Sequence, residues 1–213
     1  MTKAIFLLSI LSSILFLAYP EIDIYISSLF WDGSRFYLGD NLFVLFIYKH
    51  VNILSILLPI VAIAMIVYQS IRKVSWRYFS RKNTLFVLLV GLLGASLIVN
   101  GVLKSHWHRA RPRQVVEFGG DKRFAPPILI SDQCSTNCSF VSGHSSFGYI
   151  FLSLWFLYRK WWVFLLTFGY GSLIGLVRIV QGGHFLSDVI FSFFVMYGVA
   201  YLLHRVIYTT LPK

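Results

Sequence analysis

Long apolar runs, separated by short polar or basic segments, constrain this chain more than any other feature. They fall at about 4–19, 41–68, 84–103, 141–158, 161–177 and 188–208. A helix of about 20 apolar residues crosses a bilayer because it satisfies its backbone N–H and C=O groups internally. The 41–68 run is long enough to cross with tilt, or with an interfacial first turn that holds Lys49 and His50. The chain is 57% hydrophobic and only 13% charged, which excludes an ordinary soluble domain. The pattern predicts an all-α integral membrane protein: one domain, 1–213, with six transmembrane helices in a bundle and a polar loop at 104–140. No internal repeat or low-complexity tract divides it.

Charge orients the bundle. The segment from Gln69 to Asn83 carries Arg72, Lys73, Arg77, Arg81 and Lys82 and no acid, so the positive-inside rule makes it cytoplasmic. Six spans then put both termini in the cytoplasm. All the acidic residues lie in 21–40, 117–132 and at Asp188, segments assigned to the far side. The first run has the charge and length of a cleaved signal peptide, but Ala18-Tyr19-Pro20 is a poor small-residue cleavage site, which favours a retained span. Net charge is +11, yet the cations sit in loops between spans and no basic helix stands outside them. The expected partner is therefore the bilayer and an anionic lipid, with no nucleic acid.

The stretch Arg178 to Asp188, RIVQGGHFLSD, concentrates chemistry. If a helix starts after Gly182-Gly183, His184 and Asp188 become i,i+4 neighbours. The carboxylate can then hold one imidazole nitrogen as N–H and leave the other a lone pair, which makes a nucleophile or base. A satisfied histidine beside a helix-cap aspartate reads the same residues equally well. Helix parity strengthens the first reading: Lys104, Ser142 to His144, Arg178 and His184 all fall at span ends on the non-cytoplasmic side.

Three blocks, Lys104 through Arg111-Pro112, then Ser142-Gly143-His144, then Arg178 with His184 and Asp188, match Lys-x6-Arg-Pro, Ser-Gly-His and Arg-x5-His-x3-Asp. With these blocks the chain resembles the type 2 phosphatidic acid phosphatase superfamily of membrane lipid phosphatases. The resemblance implies that His184 attacks phosphorus, Asp188 orients it, and His144 protonates the departing oxygen. It further implies that Lys104, Arg111 and Arg178 bind the phosphate oxygens, with Ser142 and the Gly143 backbone N–H completing the cradle. No metal or other cofactor is expected, since a two-metal phosphatase needs several convergent carboxylates and only Asp188 lies in these blocks. Val141 and Val177 stand where the family usually has Pro and Ser, a departure that points to altered selectivity with the chemistry kept.

The loop FGGDKRFAPPILISDQCSTNCSFVSGHSS resembles the bacterial lipid A phosphatase branch of that superfamily. This implies removal of the 1- or 4'-phosphate of lipid A at the periplasmic face of a bacterial inner membrane. Undecaprenyl pyrophosphate, phosphatidylglycerol phosphate, transfer of the phosphate to another acceptor, and lipid transport without chemistry are the alternatives. His106, His108, Arg109 and Arg113 read either as a solvated interfacial basic cluster or as contacts to a second phosphate or a sugar. Lys122 and Arg123 add to the cation density that suits an anionic headgroup. Cys134 and Cys138 bracket a short turn on the oxidising side and are expected to form a disulfide. Asn100 and Lys49, polar groups near spans, read as helix–helix hydrogen bonding and snorkelling.

Overall fold

The computed structural model describes residues 1–76 and 79–210; Arg77 of the predicted cytoplasmic loop and Lys213 of the basic tail lie outside the described residues. Helix is the dominant structure, and the described residues show no β-pairing beyond isolated bridges at Trp31–Phe36 and Val115–Lys122. Helix α1 (Thr2–Ala18) ends at Tyr19-Pro20, and α2 (Glu21–Ser28) leaves it at 85°. Helix α3 (Leu42–Arg72) starts where the Asn41 side-chain oxygen accepts from the Phe43 N–H at 2.9 Å, and stops at Lys73 in the left-handed region.

Ser80 caps α4 (Arg81–Leu89) in the same way, through the Asn83 N–H. That helix runs on through a wide-turn stretch, Val90–Leu103, into α5 (Lys104–Trp107), so Lys104 sits on helix and not in a loop. Helices α6 (Gly143–Tyr149) and α7 (Leu152–Tyr158) are followed by α8 (Trp161–Val180) and α9 (Leu186–Arg205), with a further wide stretch at Val206–Thr210.

Four helical rods are long and apolar enough to cross a membrane: Leu42–Arg72, Arg81–Gln114, Trp161–Val180 and Leu186–Thr209. The α1–α2 pair makes a fifth if it is one broken span. The run at 141–158 divides at Ile150 and Phe151, which keep right-handed helical dihedrals while their neighbours tighten to i→i−3 bonds. Neither α6 nor α7 alone has crossing length, since each is 7 residues long. An apolar run reports burial or lipid contact; it does not report whether the hydrogen-bond ladder within it is continuous.

Helices α6, α8 and α9 form the centre, with Tyr149, Ile174, Phe193 and Met196 in the largest apolar cluster. The α3 rod lies outside it, with side chains such as Leu42 (85% exposed) and Ile71 (73% exposed) turned outward. Such apolar exposure is what a hydrocarbon surround requires. Lys104, His144, Arg178 and His184 gather at one end of this bundle, the end opposite Arg72, Arg81 and Lys82.

Candidate active site

Helix α8 ends one turn beyond Arg178, and the chain folds back through Gln181–Phe185, with the Gly183 N–H donating to the Arg178 carbonyl at 2.9 Å. A Cβ on Gly183 would lie 2.2 Å from Arg178 Nη2, so the guanidinium rests on the bare face of that glycine. His184 in this turn is wholly buried. Its Nδ1 lies 2.8 Å from the Ser139 carbonyl, which can only accept, so Nδ1 carries the proton. Nε2 is buried without a partner among the described residues and keeps its lone pair. Burial pushes the imidazole down to about 3 despite the neighbouring carboxylate, so the ring is neutral at neutral pH.

Asp188 takes the cap role directly and meets the imidazole only as a near charge. Its Oδ2 caps α9 by accepting from the Phe185 N–H at 2.8 Å, and it also accepts from the Ser139 hydroxyl. The same oxygen is 3.6 Å from His184 Nδ1, an electrostatic neighbour beyond hydrogen-bond range. The imidazole N–H therefore goes to the Ser139 carbonyl, and the carboxylate steadies Ser139 and the helix start.

Lys104, Arg111 and Arg178 are buried, and none has an ion pair with a carboxylate among the described residues. Neutral oxygens occupy their donors. Arg111 Nε and Nη2 donate to the Asn137 carbonyl at 3.1 and 2.7 Å, and Arg111 Nη2 and Lys104 Nζ donate to Asn137 Oδ1 at 2.8 and 3.3 Å. Two oxygens of one residue thus fill donors that suit the oxygens of a phosphate. Arg178 donates to Gln181 Oε1 and stacks over the Tyr48 ring at 4.9 Å, while its Nε is buried without a partner among the described residues.

His144 stacks on the same Tyr48 ring, with centroids 5.0 Å apart, and its Nε2 is 2.9 Å from Asn52 Oδ1. Ser142 caps α6, its hydroxyl accepting from Ser145 Oγ at 2.9 Å, and its N–H donates to the Asp188 carbonyl at 3.1 Å. That last bond ties the second and third sequence blocks together. A Cβ on Gly143 would fall 3.1 Å from Lys104 Nζ, so the ammonium approaches because position 143 has no side chain.

Arg109 corrects the headgroup expectation. It is entirely buried, with Nη2 2.7 Å from Asp23 Oδ2 and Nη1 2.6 Å from Asp188 Oδ1, and Nε donating to the Ala125 carbonyl at 2.8 Å. An arginine between two carboxylates inside the protein is a frame element, unable to reach a lipid. His106 turns back onto its own helix, Nδ1 lying 2.7 Å from the Val102 carbonyl. His108 ties the outer loop through Nδ1, 2.8 Å from the Cys134 carbonyl. Lys122 pairs with Asp121 at 3.0 Å, and Arg123 is exposed on the same outer loop, so neither joins the cation cluster. Arg113 does face the site from outside, lining a cavity that Arg111 and Arg178 also line. Cys134 and Cys138 are joined by a disulfide that closes the turn holding Asn137.

Asp23, Tyr48, Asn52, Asn137 and Ser139 are the site residues that local motifs missed. Asn52 had a signal: an amide within a long, mostly apolar span, four residues from Tyr48 and so on the same helix face. Asp23 sits just beyond Pro20, where it read as an ordinary loop acid. No group of three or more His, Cys, Asp or Glu among the described residues could hold a metal ion.

The PAP2 superfamily model matches residues 85–211. A lipid A 4'-phosphatase of Francisella tularensis subsp. novicida (strain U112) is 36% identical over 202 residues, covering 92% of this chain and 90% of its own. A lipid A 4'-phosphatase of Rhizobium leguminosarum is 33% identical over 192 residues, 82% of each chain. One of Rhizobium etli is 39% identical over 101 residues, 46% of this chain and 39% of its own. No solved structure matches.

Proposed function

Since the chain belongs to the PAP2 superfamily, we propose that it is a lipid phosphatase that removes the 4'-phosphate of lipid A through a phosphohistidine on His184. The observation that carries this reading is a neutral, buried imidazole whose Nε2 has no partner among the described residues, near three cations that no carboxylate there pairs with. A phosphate dianion completes that charge balance. Each charge-assisted contact to it contributes about 1.5–3 kcal/mol.

In the first half of the reaction the His184 Nε2 lone pair attacks phosphorus and the bond from phosphorus to the sugar oxygen breaks. That oxygen takes a proton from the His144 imidazolium, whose charge the arriving phosphate stabilises. Lys104, Arg111 and Arg178 hold the non-bridging oxygens as charge accumulates on them. In the second half, neutral His144 takes a proton from water, the water oxygen attacks phosphorus, and the P–N bond breaks with its electron pair returning to Nε2. Inorganic phosphate leaves and both histidines are restored.

The full topology in this reading has six spans, with α1–α2 and α6–α7 each serving as a broken one, and both termini cytoplasmic. The acid-free cationic segment around Arg72, Lys73, Arg81 and Lys82 supports a cytoplasmic far end; in this reading the phosphatase site then belongs to the periplasmic surface of a bacterial inner membrane. A lipid then presents its headgroup without leaving the bilayer.

The test is phosphate release by detergent-purified protein, in EDTA, from lipid A, undecaprenyl pyrophosphate, phosphatidylglycerol phosphate and phosphatidic acid. Lipid A leads the panel if the reading holds, and mass spectrometry finds the 4' position bare. Release led by another lipid keeps the mechanism and replaces the substrate. No release from folded protein overturns the enzyme reading.

A further inference from the structure

We propose that the cavity outside the cation cradle is the seat of the sugar ring that carries the phosphate, a specificity site built by the segment 29–41; this rests on the lipid A reading above. Two cavities meet at Asn137. The inner one, about 390 Å³, lies between α3 and α4 and combines the polar groups of Asn52, Asn100, Lys104 and His144 with hydrocarbon from Leu58, Pro59, Val87, Leu92 and Ile150. The outer one, about 720 Å³, is the more polar and carries more cations. Arg111 and Arg178 line it, and Trp31, Arg35 and Arg113 complete its rim. Its size falls in the range of about 300–1,000 Å³ typical of small-molecule sites.

The aromatic part of this wall is fixed in place. Trp31 packs against Phe36 and Phe118, with ring centroids 5.3 and 5.9 Å apart. Phe36 is in turn wedged against the turn that carries His184: a Cβ on Gly182 would lie 2.4 Å from its ring. The indole is therefore registered to the chemistry through one intervening side chain. Arg113 is exposed and has no ion pair among the described residues, unlike Arg35, which lies 3.8 Å from Asp32.

A pyranose suits this arrangement. It offers an apolar C–H face to an indole and hydroxyl and amide groups to guanidinium donors, in a site too polar for an acyl chain. A phosphate on a glycerol backbone would leave the same space to water. The outer cavity therefore selects a phosphorylated sugar, while the cradle handles any phosphate.

Trp31→Ala and Arg113→Gln, each in the full-length protein, separate these two functions. The readouts are KM for lipid A and the inhibition constant of vanadate, which fills only the phosphate cradle. KM is expected to rise by about tenfold or more in each variant, with the vanadate constant unchanged. An unmoved KM overturns the sugar seat, and so does a parallel weakening of vanadate, which would place these residues' effect in the cradle. Arg113→Gln alters an exposed side chain, so its result stands even if Trp31→Ala disturbs the loop. If the wild-type protein fails to cleave lipid A at all, the substrate reading falls first and takes the sugar seat with it. If it cleaves lipid A and only the variants are silent, the sugar seat alone is wrong.

Discussion

Arg109 and Arg111 are two residues apart, and the fold gives them opposite electrostatic settings. Arg109 is saturated: two carboxylates, a serine hydroxyl and a backbone carbonyl take its donors, with the Phe185 ring 4.4 Å from its Cζ. Arg111 is buried almost as deeply, yet among the described residues its guanidinium donates to the neutral oxygens of Asn137 and to no carboxylate. The first closes a frame that joins α2, the 104–140 loop and α9. The second, in the proposed reading, is left for an anion. Burial alone says nothing about which role an arginine plays; the presence or absence of a carboxylate partner decides it.

The contrast breaks most visibly at Arg109. Arg109→Ala strands the Asp23 and Asp188 carboxylates in the interior and is expected to cost about 3–5 kcal/mol of stability, seen as a lowered thermal midpoint in detergent. A midpoint within error of wild type would mean that water reaches the pair. Arg111→Ala should do the reverse, lowering kcat/KM by about ten- to a hundredfold with the midpoint unchanged, because no carboxylate is left behind. Loss of folding there would erase the distinction between the two.

Most of the chemistry was legible because phosphoryl transfer demands particular side chains at short local spacing. Arg178, His184 and Asp188 are such a set, and so are Lys104 and Arg111. Residues that hold them are not local. Asp23 is 86 positions from Arg109, and Asn52 is 92 from His144, so no window of sequence joins either pair. Spacing could not separate the two readings of Asp188, helix cap and imidazole partner, because the group that takes the imidazole N–H, the Ser139 carbonyl, is 45 positions from His184. The interruption at Ile150 and Phe151 was invisible for another reason: every residue around it is compatible with helix.

Acid sharpens the comparison from the histidine side. His184 has a folded value of about 3 against an ordinary 6.5, so below about pH 6.5 the unfolded chain takes up a proton that the folded one refuses. Stability should therefore fall as pH drops from about 6.5 toward about 3, and His184→Gln should flatten that slope. A slope that survives in the variant belongs to other groups. In the same range His184 stays neutral as a nucleophile, so loss of turnover near pH 6.5 would have to arise elsewhere.

The smallest effect is expected at Asn137. Removing its amide oxygen in Asn137→Ala frees donors on Arg111 and Lys104, and the vanadate inhibition constant should fall by about two- to tenfold. A rise would mean that Asn137 helps to hold phosphate instead of standing in its place.

The most direct test of the phosphohistidine on His184 is rapid quenching during turnover of lipid A that carries radiolabelled 4'-phosphate. Label should appear transiently on the protein, on the peptide containing His184, labile in acid and stable in base. Continued release of phosphate with no label on His184 would contradict that assignment.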